Sequence, residues 1–217
     1  NLYNQIIMTK ILFPTDFSDT ANNAFLYALN LAKVLNAEIR LISVQSSVKN
    51  YLDVTEDDFE SYINQLKDVA IKNGLEDINI ESSLVVGDLL MMILDIVNKQ
   101  DIKYIVMGTN GQNSLGKKFF GSNTLNVLNN ATVPVLIVPH KVKFKKERNF
   151  AFATLFNESE NKALAEMDEV VNRYNKKLKL VHVENKVITT EMLRVKGEWE
   201  EKYPKAKIQI VNDDDVE

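Results

Sequence analysis

Tyr104-Ile105-Val106-Met107-Gly108-Thr109-Asn110-Gly111, then nine residues, then Gly121-Ser122-Asn123-Thr124, is the stretch from which the organisation of this 217-residue chain is read. An apolar run that ends in glycine reads as a buried strand entering a loop whose backbone must turn or be approached closely. Gly-Ser at the head of the following segment reads as a helix start, where free amide groups and the helix dipole favour an anion. Three of only seven glycines occupy these positions, so a glycine-rich composition does not explain the spacing. A phosphate, and hence a nucleotide, is the ligand that such a pattern fits. A strand-to-helix loop with glycines as turn formers is the plainer alternative for any short Gly-x-x-Gly.

Working outward, strand-like and helix-like periods alternate. Residues 10–14 read as a strand, followed by a helix with Ser18 as its N-cap and Ala21, Ala24, Phe25, Ala28, Leu31 and Leu35 as its inward stripe. Residues 38–44 read as the second strand. Thr55-Glu56-Asp57-Asp58 is a capping signal opening a helix with Phe59, Ile63, Leu66 and Ala70 inward. Residues 78–86 form a third strand, and Gly87-Asp88 turns into a third helix carrying Leu89, Ile93, Ile96 and Val97. Residues 103–107 are the fourth strand, 121–130 a fourth helix, and 133–138 a fifth strand. This predicts an α/β fold: a doubly wound five-stranded parallel sheet, order 3-2-1-4-5, with helices on both faces. Ligands of such sheets bind beyond the carboxyl ends of the strands where the strand order reverses, here between the first and fourth strands. Pro14-Thr15-Asp16 and the glycine stretch follow those two strands.

Displaced by 139 positions, residues 11–44 align with 150–183 without a gap. Eight pairs are identical: Phe13/Phe152, Thr15/Thr154, Phe17/Phe156, Asn22/Asn161, Ala24/Ala163, Asn36/Asn175, Leu41/Leu180 and Val44/Val183. Average residue usage gives roughly two by chance, so the chain contains an internal repeat. In the second copy, Ala163, Leu164, Met167, Val170 and Tyr174 are expected on one helix face. A further helix from about residue 190 carries Met192, Val195, Trp199 and Tyr203, and residues 207–211 read as a third strand. The copy then lacks a fourth and fifth strand, and the edge beside its first strand is expected to be covered by another chain or by further sequence. The division expected is 8–140 with the ligand site, a linker over 141–148, and an incomplete second copy over 149–217. Met8 is expected to be the natural start.

The opening Ile11-Leu12-Phe13-Pro14-Thr15-Asp16-Phe17-Ser18, the series Gly108-x2-Gly111-x9-Gly121-Ser122 and the closing Val133-Pro134-Val135-Leu136-Ile137-Val138-Pro139 together resemble the universal stress protein family, whose ATP-binding members carry Gly-x2-Gly-x9-Gly-Ser/Thr. The resemblance implies that Asp16 contacts the adenosine, that Pro14, Thr15 and Val44 line the adenine pocket, and that Met107 and Gly108 pack near the ribose. It also implies that Gly111, Gly121, Ser122, Asn123 and Thr124 meet the phosphates. Asn123 departs from the small apolar residue often found there; a backbone contact would survive the change. Leu155 stands at the position of Asp16 in the second copy, and Ala153 at that of Pro14, so one nucleotide per chain is expected, in the first copy. The implied function is stress response or signalling through nucleotide-dependent association, as a homodimer pairing through residues 133–138, with ATP accompanied by Mg2+ and at most slow hydrolysis. No catalytic residue is identified.

Two alternatives are a nucleotide-independent dimerisation module and an enzyme of the adenine-nucleotide α-hydrolase type. The latter carries Ser-Gly-Gly-x-Asp-Ser after its first strand, and Pro14-Thr15-Asp16-Phe17-Ser18 lacks both glycines. Lys117 and Lys118 are candidate phosphate neighbours. His140 and His182 could form a two-histidine metal site, but a sheet role is the simpler reading of His182; the acids of 213–215 are explained by a helix start. The net charge of −4 argues against nucleic acid as a partner. Apolar runs are too short for a membrane span, and no secretion signal is read. The absence of cysteine fits a reducing compartment, so a cytoplasmic location is expected.

Overall fold

A computed structural model describes residues 9–46, 54–109, 121–145, 149–184 and 189–212. Gly111, Lys117, Lys118 and residues 213–215 lie outside the described residues. The chain divides into two compact units, residues 1–144 and 145–217.

In the first unit the elements run β1 (Lys10–Thr15), α1 (Asp19–Leu35), β2 (Glu38–Gln45), α2 (Glu56–Lys72), β3 (Ile80–Val86), α3 (Leu89–Lys99), β4 (Ile102–Thr109), α4 (Ser122–Asn130) and β5 (Val135–Pro139). All pairings are parallel, in the order β3-β2-β1-β4-β5. The expected caps hold their helices. Ser18 accepts from the Ala21 amide, Thr55 and Asp58 form a reciprocal capping box, and Asp88 accepts from the Met91 amide. Alternation along the strands sends Leu12, Ile42, Ile105 and Met107 to a core under α3 and α4 that also holds Ile93, Ile96, Val97 and Val127. Ile11, Phe13 and Leu41 point to the opposite face, where Phe13 meets Phe25 of α1 at 5.3 Å between ring centroids. Two strands begin later than periodicity indicates. Residues 75–78 form a turn in which the Ile78 amide bonds Leu75, and Pro134 has no amide hydrogen, although its carbonyl still accepts from Ile105.

α1 crosses closely over β4. A Cβ built on Gly108 would lie 2.7 Å from the Thr20 carbonyl oxygen and 2.9 Å from its carbonyl carbon. Backbone cannot rotate aside as a side-chain tip can, so the absence of a side chain here is what permits the approach. At the amino ends of the strands, Lys10, Glu38, Arg40 and Glu81 form a polar border. Glu81 lies 3.2 Å from Lys10 and 3.6 Å from Arg40. The hydrogen bond from Lys10 holds the Glu81 carboxyl below its ordinary value of 4.5, with the Arg40 charge acting in the same direction.

The second unit contains β6 (Phe150–Ala153), a 3-10 turn (Glu158–Glu160), α5 (Asn161–Arg173), β7 (Leu178–Glu184), α6 (Thr190–Lys202) and β8 (Lys207–Asn212). Its parallel sheet has the order β6-β7-β8. The β1–β2 register Ile11↔Ile39 recurs as Phe150↔Leu178, the same residues displaced by 139. The non-glycine residues with positive φ also fall in pairs 139 apart: Phe17 (61°) with Phe156 (54°), and Asn36 (52°) with Asn175 (52°). Four of the residues that the repeat retains are thus held in a left-handed conformation. The expected stripe of α5 is corrected: Leu164 and Val171 are buried, and Ala163 is exposed. Its counterpart Ala24 is fully buried on a helix that packs on β4 and β5; the described residues of the second unit contain no strands equivalent to these, so the same helix face is uncovered.

Gly108→Ala is expected to lower the unfolding free energy by about 1–3 kcal/mol, the usual cost of overpacking, measured by denaturant unfolding. Because the folded-state pKa of Glu81 is depressed, its stabilisation is complete above the ordinary glutamate value and is lost as pH falls through the lower folded value. Glu81→Gln is expected to flatten the acid limb of stability against pH; an unchanged limb would show that the ion pairs contribute nothing measurable.

Candidate functional site

The β1–β4 pairing runs only from Lys10 to Leu12. Pro14, two residues on, has no amide hydrogen with which to extend a ladder. The carboxyl ends of these central strands are therefore not paired with each other at the place where strand order reverses, though each stays paired with its outer neighbour.

The β1–α1 turn is built from its own side chains. Asp16 is exposed; its Oδ1 accepts from the Ser18 amide at 3.1 Å and the Ser18 hydroxyl at 2.6 Å. Ser18 Oγ in turn accepts from the Ala21 amide at 3.3 Å, so the cap of α1 orients the carboxylate. Asp16 Oδ2 takes no hydrogen bond from the described residues. Phe17 has φ 61°, a conformation that costs a bulky residue about 1–3 kcal/mol. Two features oppose that cost. Its amide donates to Thr15 Oγ1 at 3.3 Å, and its ring packs edge-on against Tyr62 at 4.4 Å and Phe59 at 6.1 Å. Burial pushes the Tyr62 hydroxyl pKa up; the Thr15 hydrogen bond lowers it, and the charges of Asp16 and Asp19 raise it further.

Across the gap, the Gly121 amide points at Thr109 Oγ1, 3.5 Å away, tying the head of α4 to the end of β4. Thr109 also accepts the His140 amide at 3.1 Å through its carbonyl, and His140 Nδ1 lies 3.0 Å from Thr20 Oγ1. α4 has no side-chain cap, and Gly121, its N-cap, has φ −67°. That is an ordinary extended conformation, and a Cβ there would meet nothing within 4 Å. Unlike Gly108, Gly121 is thus not required by anything in the described chain.

The residues that the sequence singles out come to the ends of adjacent elements: Pro14, Thr15 and Asp16 on β1 and its turn, Val44 on β2, Met107 and Gly108 on β4, and Gly121, Ser122, Asn123 and Thr124 at the head of α4. Pro14, Thr15, Met107 and Thr124 are buried, Val44 and Gly108 half-buried, and Asp16, Gly121, Ser122 and Asn123 exposed. Thr20, Asn22, Tyr62, Thr109 and His140 also belong to this region and lie outside the reading of the motifs. Asn22 was marked in advance by its identity with Asn161, Thr109 only as part of the glycine stretch, and His140 only as half of a possible two-histidine metal site. Among the described residues, no group of three or more His, Asp or Glu side chains is placed to hold a metal. No helix among them is long and apolar enough to cross a membrane.

The corresponding turn of the second unit is filled from within. Glu160 accepts from Thr154 Oγ1 at 2.8 Å, the Leu155 amide at 3.3 Å and the Asn157 amide at 3.0 Å. Leu155, in the place of Asp16, is 68% exposed. His182 is buried with Nδ1 2.7 Å from the Thr154 carbonyl oxygen, a contact to the sheet backbone.

The model of the universal stress protein family matches residues 8–139, and the chain belongs to that family. One universal stress protein of Methanocaldococcus jannaschii is 29% identical over 158 residues, covering 63% of this chain and 98% of the relative. A second from the same organism is 30% identical over 158 residues, covering 68% of this chain and 86% of the relative. The crystal structure of a universal stress protein from Archaeoglobus fulgidus superposes with a TM-score of 0.68 at 23% identity, covering 94% of this chain and 78% of that one. At that identity the likeness is one of fold.

Proposed function

We propose that the first unit binds one adenine nucleotide, ATP with Mg2+, at the carboxyl edge of β2, β1 and β4, and that occupancy governs association of the chain with a second copy or another partner. The observation that supports this reading is Gly121: it has an ordinary φ, no atom of the described residues lies within 4 Å of where its Cβ would be, and it stands at the head of a helix with no side-chain cap, where the dipole favours phosphate. The spacing to Gly108 and Gly111 and the family resemblance supply the adenine nucleotide. Asp16 is the nucleoside contact, its Oδ2 open and its Oδ1 locked. Pro14, Thr15 and Val44 flank the base. Met107 and Gly108 lie by the ribose, and Gly111, Gly121, Ser122, Asn123 and Thr124 meet the phosphates. Mg2+ is held chiefly by phosphate and water oxygens.

The second unit supports the nucleotide-independent alternative for itself alone. Glu160 already satisfies the donors of its turn, and a carboxylate there repels phosphate. Hydrolysis is at most slow, because no side chain in the reading of the site is assigned as a base; the assembly operates by binding in a cytoplasmic stress response.

Calorimetric titration with Mg·ATP is expected to give one site per chain. Gly121→Ala is expected to leave unfolding free energy within about 0.5 kcal/mol, as for surface substitutions free of special features, while weakening ATP binding at least about tenfold through lost phosphate contacts. Asp16→Asn, which retains the Oδ1 acceptor, is expected to weaken binding by a similar order. Full ATP affinity in both variants would sink the assignment.

A further inference from the structure

Tyr62 lies on α2, outside every motif that marks the site, yet its side chain is joined to the turn that carries Asp16. Its hydroxyl donates to Asn22 Oδ1 at 2.5 Å. A phenol has one proton, so in the 3.3 Å contact with Thr15 Oγ1 the donor is Thr15. Thr15 Oγ1 also accepts from the Phe17 amide. The Thr15 proton is therefore committed inward. The Tyr62 ring meanwhile packs edge-on against Phe17 at 4.4 Å. Both chain neighbours of Asp16 are thus held by one residue, Thr15 through the hydroxyl and Phe17 through the ring.

The internal repeat separates what this arrangement does for the fold from what it does for the site. In the second unit Trp199 of α6 packs on Phe156 at 5.8 Å, and its indole N–H donates to Asn161 Oδ1 at 2.7 Å. Asn161 is the counterpart of Asn22, and Phe156 of Phe17. The aromatic–phenylalanine–asparagine clamp is therefore common to both units and serves the left-handed turn. Indole has no acceptor, so Trp199 cannot receive the threonine proton, and Thr154 turns to Glu160 instead. The bridging hydroxyl occurs in the unit whose turn carries a carboxylate, and is missing from the unit whose turn carries Leu155.

We infer that Tyr62 is a positioning residue of the nucleotide site: its hydroxyl, through Thr15 and Phe17, sets the direction of the Asp16 carboxylate. This role rests on the nucleotide reading above. It is tested by Mg·ATP titration of the wild type, Tyr62→Phe, Asp16→Asn and the double variant, each shown to be folded by its unfolding transition. Tyr62→Phe retains the ring contact but removes the hydroxyl's bonds to Asn22 and Thr15; the loss of the Thr15 link is expected to weaken binding about five- to tenfold, the scale of a buried hydrogen bond. In the Asp16→Asn background that loss should vanish, because the group being aimed has already been neutralised. Thr15→Val removes that bond from its other end together with the acceptor of the Phe17 amide; it should lose at least as much, and the further loss on adding Tyr62→Phe should be smaller than that of Tyr62→Phe alone. Unchanged affinity in Tyr62→Phe and Thr15→Val, or an equal loss with and without Asp16, would overturn the role while leaving the nucleotide reading intact. A wild type that takes up no Mg·ATP would overturn both.

Discussion

A chain leaving a parallel strand must change direction before it can enter the covering helix, and here the change rests on one phenylalanine at φ 61°. Such a backbone is expensive for a bulky side chain. It persists because the preceding threonine hydroxyl binds the phenylalanine amide and an aromatic ring from the second helix of the unit packs against it. The second unit makes the same turn with Phe156, Thr154 and Trp199. The start of α1 and the placing of Asp16 beside it follow from where this turn sends the chain.

Two glycines of one spacing pattern turn out to answer to different constraints. Gly108 is demanded by the protein: the Thr20 carbonyl occupies the space that a Cβ would need. Gly121 has room for a side chain and an ordinary φ. A pattern read along the chain treats them alike. The protein interior explains the first, and nothing among the described residues requires the second. The internal repeat makes the same point with acids. Asp16 projects from its turn with an open oxygen, whereas Glu160 folds back into its own turn and uses both oxygens on it.

Much of the fold was legible in advance because its signals are local. Helix starts lie in Ser18, Thr55 and Asp88, each a short side chain bonding an amide two or three residues on. The parallel arrangement with helices on both faces followed from crossover length and hand. The repeat was visible as eight identities; left-handed backbone suits Asn36 and Asn175, whereas Phe17 and Phe156 are held in it by the rings packed against them. The stripe of α5 was misjudged at Ala163, since burial depends on neighbours absent from the described second sheet. The roles of Thr20, Tyr62, Thr109 and His140 were not legible, because their contacts join residues from 12 to 120 positions apart and no motif assigns them.

The sequence by itself determined the parallel α/β architecture, the internal repeat and the glycine spacing that follows the fourth strand. These rest on periodicity, capping and spacing, which are properties of neighbouring residues. Only the tertiary structure decided which glycine serves packing, which carboxylate is open, and that α2 reaches the β1 turn through Tyr62. Those depend on distances across the sheet and between helices, and a Cβ contact or a hydrogen-bond direction exists only once the chain has brought distant residues within a few ångströms.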